Sequence, residues 1–155
     1  MPELPSKSTL RLRDFLPYRL SVLSNTVSGK IANLYDREFG LSIWQWRVMA
    51  VLGENAGITA TEIGQVTAMD KVAVSRAVSG LIESGHVARK VSPEDGRRSI
   101  LSLTTKGKGV YDKIVPIALD AERDLVETLS AAEREQLARL MDKLAKTAEP
   151  DRPLW

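Results

Sequence analysis

The chain has 155 residues, 43% of them apolar and only 5% aromatic, which suits one compact domain with a helical extension and a core of packed aliphatic side chains. Zero cysteines exclude disulfides, thiolate metal sites and thiol redox sensing, and a single histidine, His86, leaves little for metal or acid–base chemistry. The net charge of +2 is too small to name a partner, and no apolar run is long enough to span a membrane.

The opening stretch MPELPSKSTLRLRDF holds Pro2 and Pro5 among polar residues and reads as a loose arm. It lacks the apolar segment of a secretory signal, so a cytoplasmic protein is expected. Over residues 14–39, apolar side chains recur at Leu16, Leu20, Leu23, Val27, Ile31 and Leu34, spacings of three and four that predict a long amphipathic helix. Gly40 closes it. Phe15, Tyr18 and Val22 add a second stripe, and a helix apolar on two faces is usually covered twice, by its own domain and by a partner subunit.

Ser42 and Gln45 form a capping box that starts a helix running to about Glu54, with Leu41 and Trp46 as its staple; Gly57 breaks the chain after it. Thr59 and Glu62 repeat the device, with Ile58 and Ile63 as staple, for a short helix over 59–66. Asp70 caps a third helix, 70–84, stopped by Gly85. Two short helices joined by about four residues have helix-turn-helix spacing. Beyond Gly85 the apolar period changes to two: HVARKV and RSILSL flank the knot SPEDGRRS and predict an antiparallel hairpin, with Pro93 at the second turn position and Gly96 supplying conformational freedom. From Thr104 a helical region carries Val110, Ile114, Ile117, Ala121, Leu125 and Leu129 on one face, bent by Pro116. Ser130 and Glu133 box the last helix, with Leu137, Leu140, Met141 and Leu144 on one side, before an irregular tail, EPDRPLW.

The fold class that follows is mainly α with a small β-hairpin wing: a winged helix-turn-helix domain over 41–104, an N-terminal arm and dimerisation helix over 1–40, and C-terminal dimerisation helices and tail over 105–155. The long stripes of the first and last helices exceed what one small wing domain can cover, which points to a homodimer. Charge divides along the same lines. Residues 59–108 carry eight Lys/Arg against five Asp/Glu, whereas residues 120–151 carry five against nine, so the middle is the part fitted to a polyanion.

At about 100° per residue, Val74, Ala77, Val78, Leu81 and Ile82 share one face of the 70–84 helix, and Val72, Ser75, Arg76 and Ser79 lie opposite. A small polar face with one arginine fits a major groove: Arg76 suits guanine, Val72 a thymine methyl, Ser75 a base or phosphate. Lys71 in the first turn is placed for a phosphate, near the free N–H groups of the helix start. Thr61 offers a further phosphate donor, whereas Thr59 serves as the cap. At the hairpin tip Arg97 suits a narrow minor groove, with Asp95 holding its guanidinium; Arg98, on the other strand face, pairs within the fold.

The stretch DKVAVSRAVSGLIESGHVARKVSPEDGRRSILSLTTKGK resembles the MarR family of bacterial winged-helix regulators, through Ser75-Arg76, Leu81, Gly85, Arg89, Asp95-Gly96-Arg97 and the exit Leu103 to Gly107. The order of elements extends the resemblance over nearly the whole chain. It implies an obligate homodimer built from first and last helices, a palindromic double-stranded DNA operator, and repression relieved by a small anionic or phenolic ligand. LPYRL and WRVMA look similar to the branch that responds to aromatic acids or their coenzyme A thioesters. The implied ligand crevice draws on Tyr18, Arg19, Trp44, Trp46 and Arg47; Trp44 and Trp46 as core, with Arg47 in an ion pair, is the competing reading. Neither a metal nor a cofactor is expected. An enzyme is disfavoured, since no nucleophile, base and orienting group occur in a usable pattern. A winged helix serving protein contacts remains the rival, opposed by two arginines, Arg76 and Arg97, where apolar residues would be expected.

Overall fold

The computed structural model describes residues 9–152; the first eight residues of the expected arm and the last three of the tail lie outside the described residues. Leu12–Asp14 make one 3-10 turn, and α1 follows over Leu16–Phe39. It begins two residues later than the periodicity predicts. A start at residue 14 would need the N–H of residue 17 to close the first turn, and Pro17 has none. Then come α2 (Ile43–Glu54), α3 (Ala60–Val66), α4 (Lys71–Glu83), β1 (Val87–Val91), β2 (Ser99–Leu103), α5 (Thr105–Val126) and α6 (Ala131–Ala148). No helix among the described residues is long and apolar enough to cross a membrane.

The three capping boxes form as the sequence predicts. Ser42 Oγ accepts from the Gln45 N–H at 3.1 Å, Thr59 Oγ1 from the Glu62 N–H at 3.2 Å and Ser130 Oγ from the Glu133 N–H at 3.2 Å, each with the reciprocal bond in place. Asp70 accepts from the Ala73 N–H at 2.8 Å and starts α4. At its other end Gly85 takes φ of +78°, so that His86 N–H reaches the Leu81 carbonyl and Gly85 N–H the Ile82 carbonyl.

β1 pairs antiparallel with β2, Val87 opposite Leu103 and Val91 opposite Ser99. A third segment joins them: Ile58 bridges to Leu101, whose N–H donates to the Ile58 carbonyl at 2.8 Å. The sequence reading gave Ile58 only a staple role. Two details of the turn also differ. Gly96 does not take a positive φ, because the turn is closed by Arg98 N–H on the Asp95 carbonyl at 3.0 Å, in a backbone shape open to any residue. The Asp95 carboxylate accepts from the backbone N–H of Arg97 at 3.0 Å, and the ion pairs of the described residues do not include one between Asp95 and Arg97. The acid therefore shapes the turn instead of holding the guanidinium. Farther on, α5 runs unbroken through Pro116, which lies exposed, where water can satisfy the carbonyl freed by the missing N–H.

The core lies in the wing domain, where Val48, Met49 and Leu52 of α2 meet Ile63, Val74, Val78, Leu81, Val87 and Leu101, all essentially sealed. Tyr35 from α1 and Ile114 from α5 enter it from above. The root of α5 is clamped to the end of α4. Thr104 Oγ1 donates to the Gly85 carbonyl at 2.6 Å, Lys106 Nζ to the Ser84 carbonyl at 2.7 Å, and Gly107 presses against the His86 backbone so closely that a Cβ would collide with its carbonyl oxygen. Burial lowers the pKa of His86, and the nearby Lys106 charge adds to the effect. The hairpin base is tied to α3, since Arg98 Nη2 lies 3.4 Å from Glu62 Oε1 while Glu62 Oε2 accepts from the Thr59 N–H at 2.7 Å. The Thr59 N–H is the main cause that holds the Glu62 carboxyl below its usual pKa; partial burial opposes it, and the Thr59 hydroxyl and Arg98 reinforce it.

By contrast, Leu137, Leu140, Met141 and Leu144 on α6 are each close to half exposed, as are Leu16, Leu20 and Leu23 on α1.

Two stability predictions follow from these contacts. Gly107→Ala forces backbone apart at the root of α5 and is expected to cost about 3 kcal/mol, lowering Tm by roughly 6–12 °C in calorimetry; an unchanged Tm would contradict the clamp. Glu62 has a depressed pKa in the folded state, so its contribution is present above the unfolded carboxylate pKa and lost as pH falls through the folded value. Urea unfolding should find Glu62→Gln less stable than the wild type by up to about 1 kcal/mol at pH 7, with the gap closing below about pH 4. A gap that does not vary with pH would place its origin elsewhere.

Candidate nucleic-acid interface

Burial of Val74, Ala77, Val78 and Leu81 on one side of α4 leaves Lys71, Val72, Ser75, Arg76 and Ser79 exposed on the other, as the periodicity predicts. Val72 is 59% exposed, unusual for a valine in the first turn of a well-packed helix. The exposed residues divide between two grooves. Lys71 and Ser75, one turn apart, join Thr61 of α3 in a groove of about 500 Å³ between α3 and α4. Val72 and Arg76, also one turn apart, line a groove of about 340 Å³ shared with Ser42, Trp44 and Gln45 at the start of α2. Ser79 continues the face toward the middle of α4 and lines neither groove.

The α3–α4 groove contains a residue to which the sequence reading gave no DNA role. Arg89 of β1 lines it beside Lys71 and Ser75. It stands opposite Leu101 in the hairpin and so shares a sheet face with Val87 and Leu101, both buried. An arginine in phase with the core side of a strand was the available signal: its stem follows the apolar face and its head emerges over the groove.

The wing carries Asp95 and Arg97 exposed at its tip and outside both grooves. Three bonds stiffen that tip. Ser92 N–H donates to the Arg98 carbonyl at 2.8 Å, Arg98 N–H to the Asp95 carbonyl at 3.0 Å and Arg97 N–H to the Asp95 carboxylate at 3.0 Å. Arg98 is used up in its ion pair with Glu62, as expected from strand alternation, and Arg97 projects from a braced turn. Such an arrangement can present a guanidinium to a polyanion at little cost in backbone entropy.

Neither of these two grooves gathers all five residues of the expected ligand crevice. Trp46 is packed between Tyr35 and Tyr111, with ring centroids 5.1 Å and 5.9 Å away. Trp44 is 43% exposed, and the Arg47 guanidinium lies over its ring at 5.1 Å from the centroid. Arg47 also approaches Ser28 Oγ on α1 at 3.5 Å. Tyr18 and Arg19 are exposed near the start of α1 and line neither of these grooves. Trp44 is the one of the five that borders α4, in the groove with Val72 and Arg76. Among the described residues no cluster of His, Cys, Asp and Glu is arranged to hold a metal ion.

Comparison with known proteins agrees with this geometry. A sequence model of the MarR family matches residues 39–98, from the end of α1 to the tip of the wing. The transcriptional regulator BilQ of Clostridium symbiosum is 27% identical over 110 residues, which cover 71% of this chain and 76% of BilQ. The crystal structure of a MarR/EmrR family regulator from Acinetobacter sp. ADP1 superposes with a TM-score of 0.84 at 27% identity, covering 91% of this chain and 99% of that one. A mutant of Escherichia coli MarR, crystallised with operator DNA, superposes with a TM-score of 0.77 at 26% identity over 88% of this chain and 99% of that one. The family model, these relatives and these structures together support a MarR-family winged helix-turn-helix transcriptional regulator, a class of DNA-binding proteins and not of enzymes.

Proposed function

We propose that the protein is a homodimeric repressor that grips a palindromic operator and is released by a small anionic aromatic ligand or its coenzyme A thioester. The observation that carries the DNA reading is the composition of the outward face of α4, where small polar residues and cations replace the apolar side chains that a protein-docking helix would show. In this reading Arg76 and Val72 meet base edges in the major groove, and Lys71, Thr61 and Ser75 meet phosphates. Ser79 contacts the duplex farther along the helix. Arg97, on a tip that Asp95 shapes, enters the adjacent minor groove. The operator-bound relative from Escherichia coli supports a duplex as the partner.

The dimer reading draws on two apolar surfaces of the same chain. The half-exposed leucines of α6 need a cover, and α1 and α5 enclose an open groove of about 550 Å³ lined mainly by Leu23, Val27, Ile31, Leu34 and Leu125. Seating the α6 helix of a second copy in that groove would bury both at about 25 cal/mol per Å². The segments 1–40 and 105–155 are then the dimerisation region and 41–104 the DNA-binding domain. A two-fold pair places its reading helices one helical turn, ~34 Å, apart and covers two half-sites, which excludes other proteins from that stretch of duplex. For the ligand, Trp44 with Arg47 offers an aromatic wall beside a cation, next to Arg76. An aromatic carboxylate bound there or between the lobes acts by favouring a geometry that does not fit DNA.

Salt titration of operator binding should give a steep line, with log K falling about 0.9 per phosphate contact for each unit of log salt; a flat response would contradict the interface. Arg97→Ala should lose about tenfold or more in operator affinity while sizing chromatography still finds a dimer, and Arg76→Ala should cost about 1–3 kcal/mol and relax preference at one base position. Affinity unchanged by Arg97→Ala would remove the wing from the interface, and a monomer on the column would remove the two-fold pair.

A further inference from the structure

The last described residue, Arg152, lies 85 positions from Thr67 and donates from Nη2 to the Thr67 carbonyl at 2.8 Å. Thr67 ends α3, and the carbonyls at a helix end have no partner within the helix. A guanidinium there supplies the missing donor and a positive charge at the negative end of the helix. Its other arm is held from the opposite side: Nη1 lies 3.2 Å from Glu149 Oε2, in the turn that closes α6. One planar side chain thus bridges the end of α6 and the end of α3, across a groove of about 830 Å³ that also includes Met69, Asp70 and Pro150.

What this bridge fixes follows from the chain between Thr67 and α4. The turn has few residues, Met69 is buried within it, and Asp70 caps α4. Holding the Thr67 carbonyl therefore holds the start of α4, which carries Lys71, Val72 and Ser75. At the opposite end of the same lobe, Thr104, Lys106 and Gly107 anchor α5 to the end of α4 and the start of β1. Beside that root the lobe also packs on α1 and α5 through Tyr35, Trp46 and Ile114, and Arg152 adds a polar tie on the far side, in a groove lined by no residue of α1 or α5. α6 has no extensive interface with another element of its own chain, so Arg152 is where its C-terminal end meets the reading lobe.

We propose that Arg152 is a positioning residue that sets the distance and phase between the two reading helices, and so the half-site spacing that the protein accepts. The proposal rests on the dimeric reading above. Adding one base pair at the centre of a palindrome shifts one half-site by about a tenth of a turn relative to the other, a displacement that a braced lobe resists and a swinging lobe follows.

The test uses the full chain and a palindrome selected by the wild type from random-sequence DNA, together with versions carrying one base pair inserted or deleted at the centre. The wild type should bind the altered spacings about tenfold more weakly, and Arg152→Ala should reduce that loss to less than about threefold while keeping the wild-type Tm and dimer. Arg152→Lys, able to reach one partner but not to bridge two, should fall between them. If Arg152→Ala keeps the wild-type discrimination, or weakens binding equally at every spacing, the proposal is overturned. A wild type indifferent to spacing would instead overturn the dimeric reading, and this proposal with it.

Discussion

The burial of one side of α4 is the constraint on which the rest of the molecule depends. Val74, Val78 and Leu81 are sealed against α2, α3 and the hairpin, and each such side chain contributes about 1.5–3 kcal/mol relative to exposure. Rotating α4 by one residue would place Ser75 or Ser79 in that apolar setting, without partners for their hydroxyls, and bring valines to the surface. The helix therefore has one stable phase, and in that phase Arg76 and its neighbours face outward. The outward face is specified by what the inward face cannot give up.

A second layer of precision comes from the Glu62 junction. One carboxylate closes the cap of α3 through Thr59 and, with its other oxygen, meets Arg98 at the foot of the wing. The pair is about half exposed and contributes little stability by itself. Its consequence is geometric: the wing cannot rotate about the hairpin base without breaking the ion pair, and the Ile58 to Leu101 bridge opposes the same motion. Arg97 is thus carried on a tip whose orientation is set by α3, the helix that also lines the groove with Lys71 and Ser75.

Local chemistry was legible in the sequence, and long-range chemistry was not. Every capping box, the Gly85 stop and the two strands of the hairpin were readable, because each depends on residues within a few positions of one another. Arg98 as an internal partner was readable from strand alternation, although Glu62 as its mate was not. The failures share a cause. Ile58 pairs with a residue 43 positions away, Arg89 earns its place only when β1 lies over α3 and α4, and Arg152 bonds to Thr67 across most of the chain. Asp95 and Arg97 were close enough to read, yet a backbone N–H two residues on competes well with a guanidinium for the same carboxylate, since it is already fixed by the turn and loses no side-chain entropy. Trp44 and Trp46 are two positions apart on α2, which turns them about 200° away from each other, so they face different surroundings: Trp46 the rings of Tyr35 and Tyr111, Trp44 the groove with Arg76.

These bonds leave the reading lobe few internal degrees of freedom, and that limits how the proposed ligand would release DNA. α4, the wing and the root of α5 are joined by packed apolar side chains and short bonds, so distorting α4 against the wing would cost core contacts that a small ligand cannot match. Reorienting whole lobes leaves that interior intact and is resisted instead by the packing of α2 on α1 and α5 through Tyr35, Trp46 and Ile114, by the root of α5 and by Arg152. Shifting a lobe population from 1:99 to 99:1 needs a difference of about 5.5 kcal/mol in ligand affinity between the two geometries, within reach of an aromatic acid that gains a stacking surface and a charge-assisted bond at two sites of a dimer. A ligand beside Trp44 has a shorter route as well. It would share a groove with Arg76 and Val72, and would compete with the duplex for the arginine itself. The two routes differ in what they demand of Arg152: reorientation acts against its bridge, whereas competition at Arg76 leaves that bridge intact.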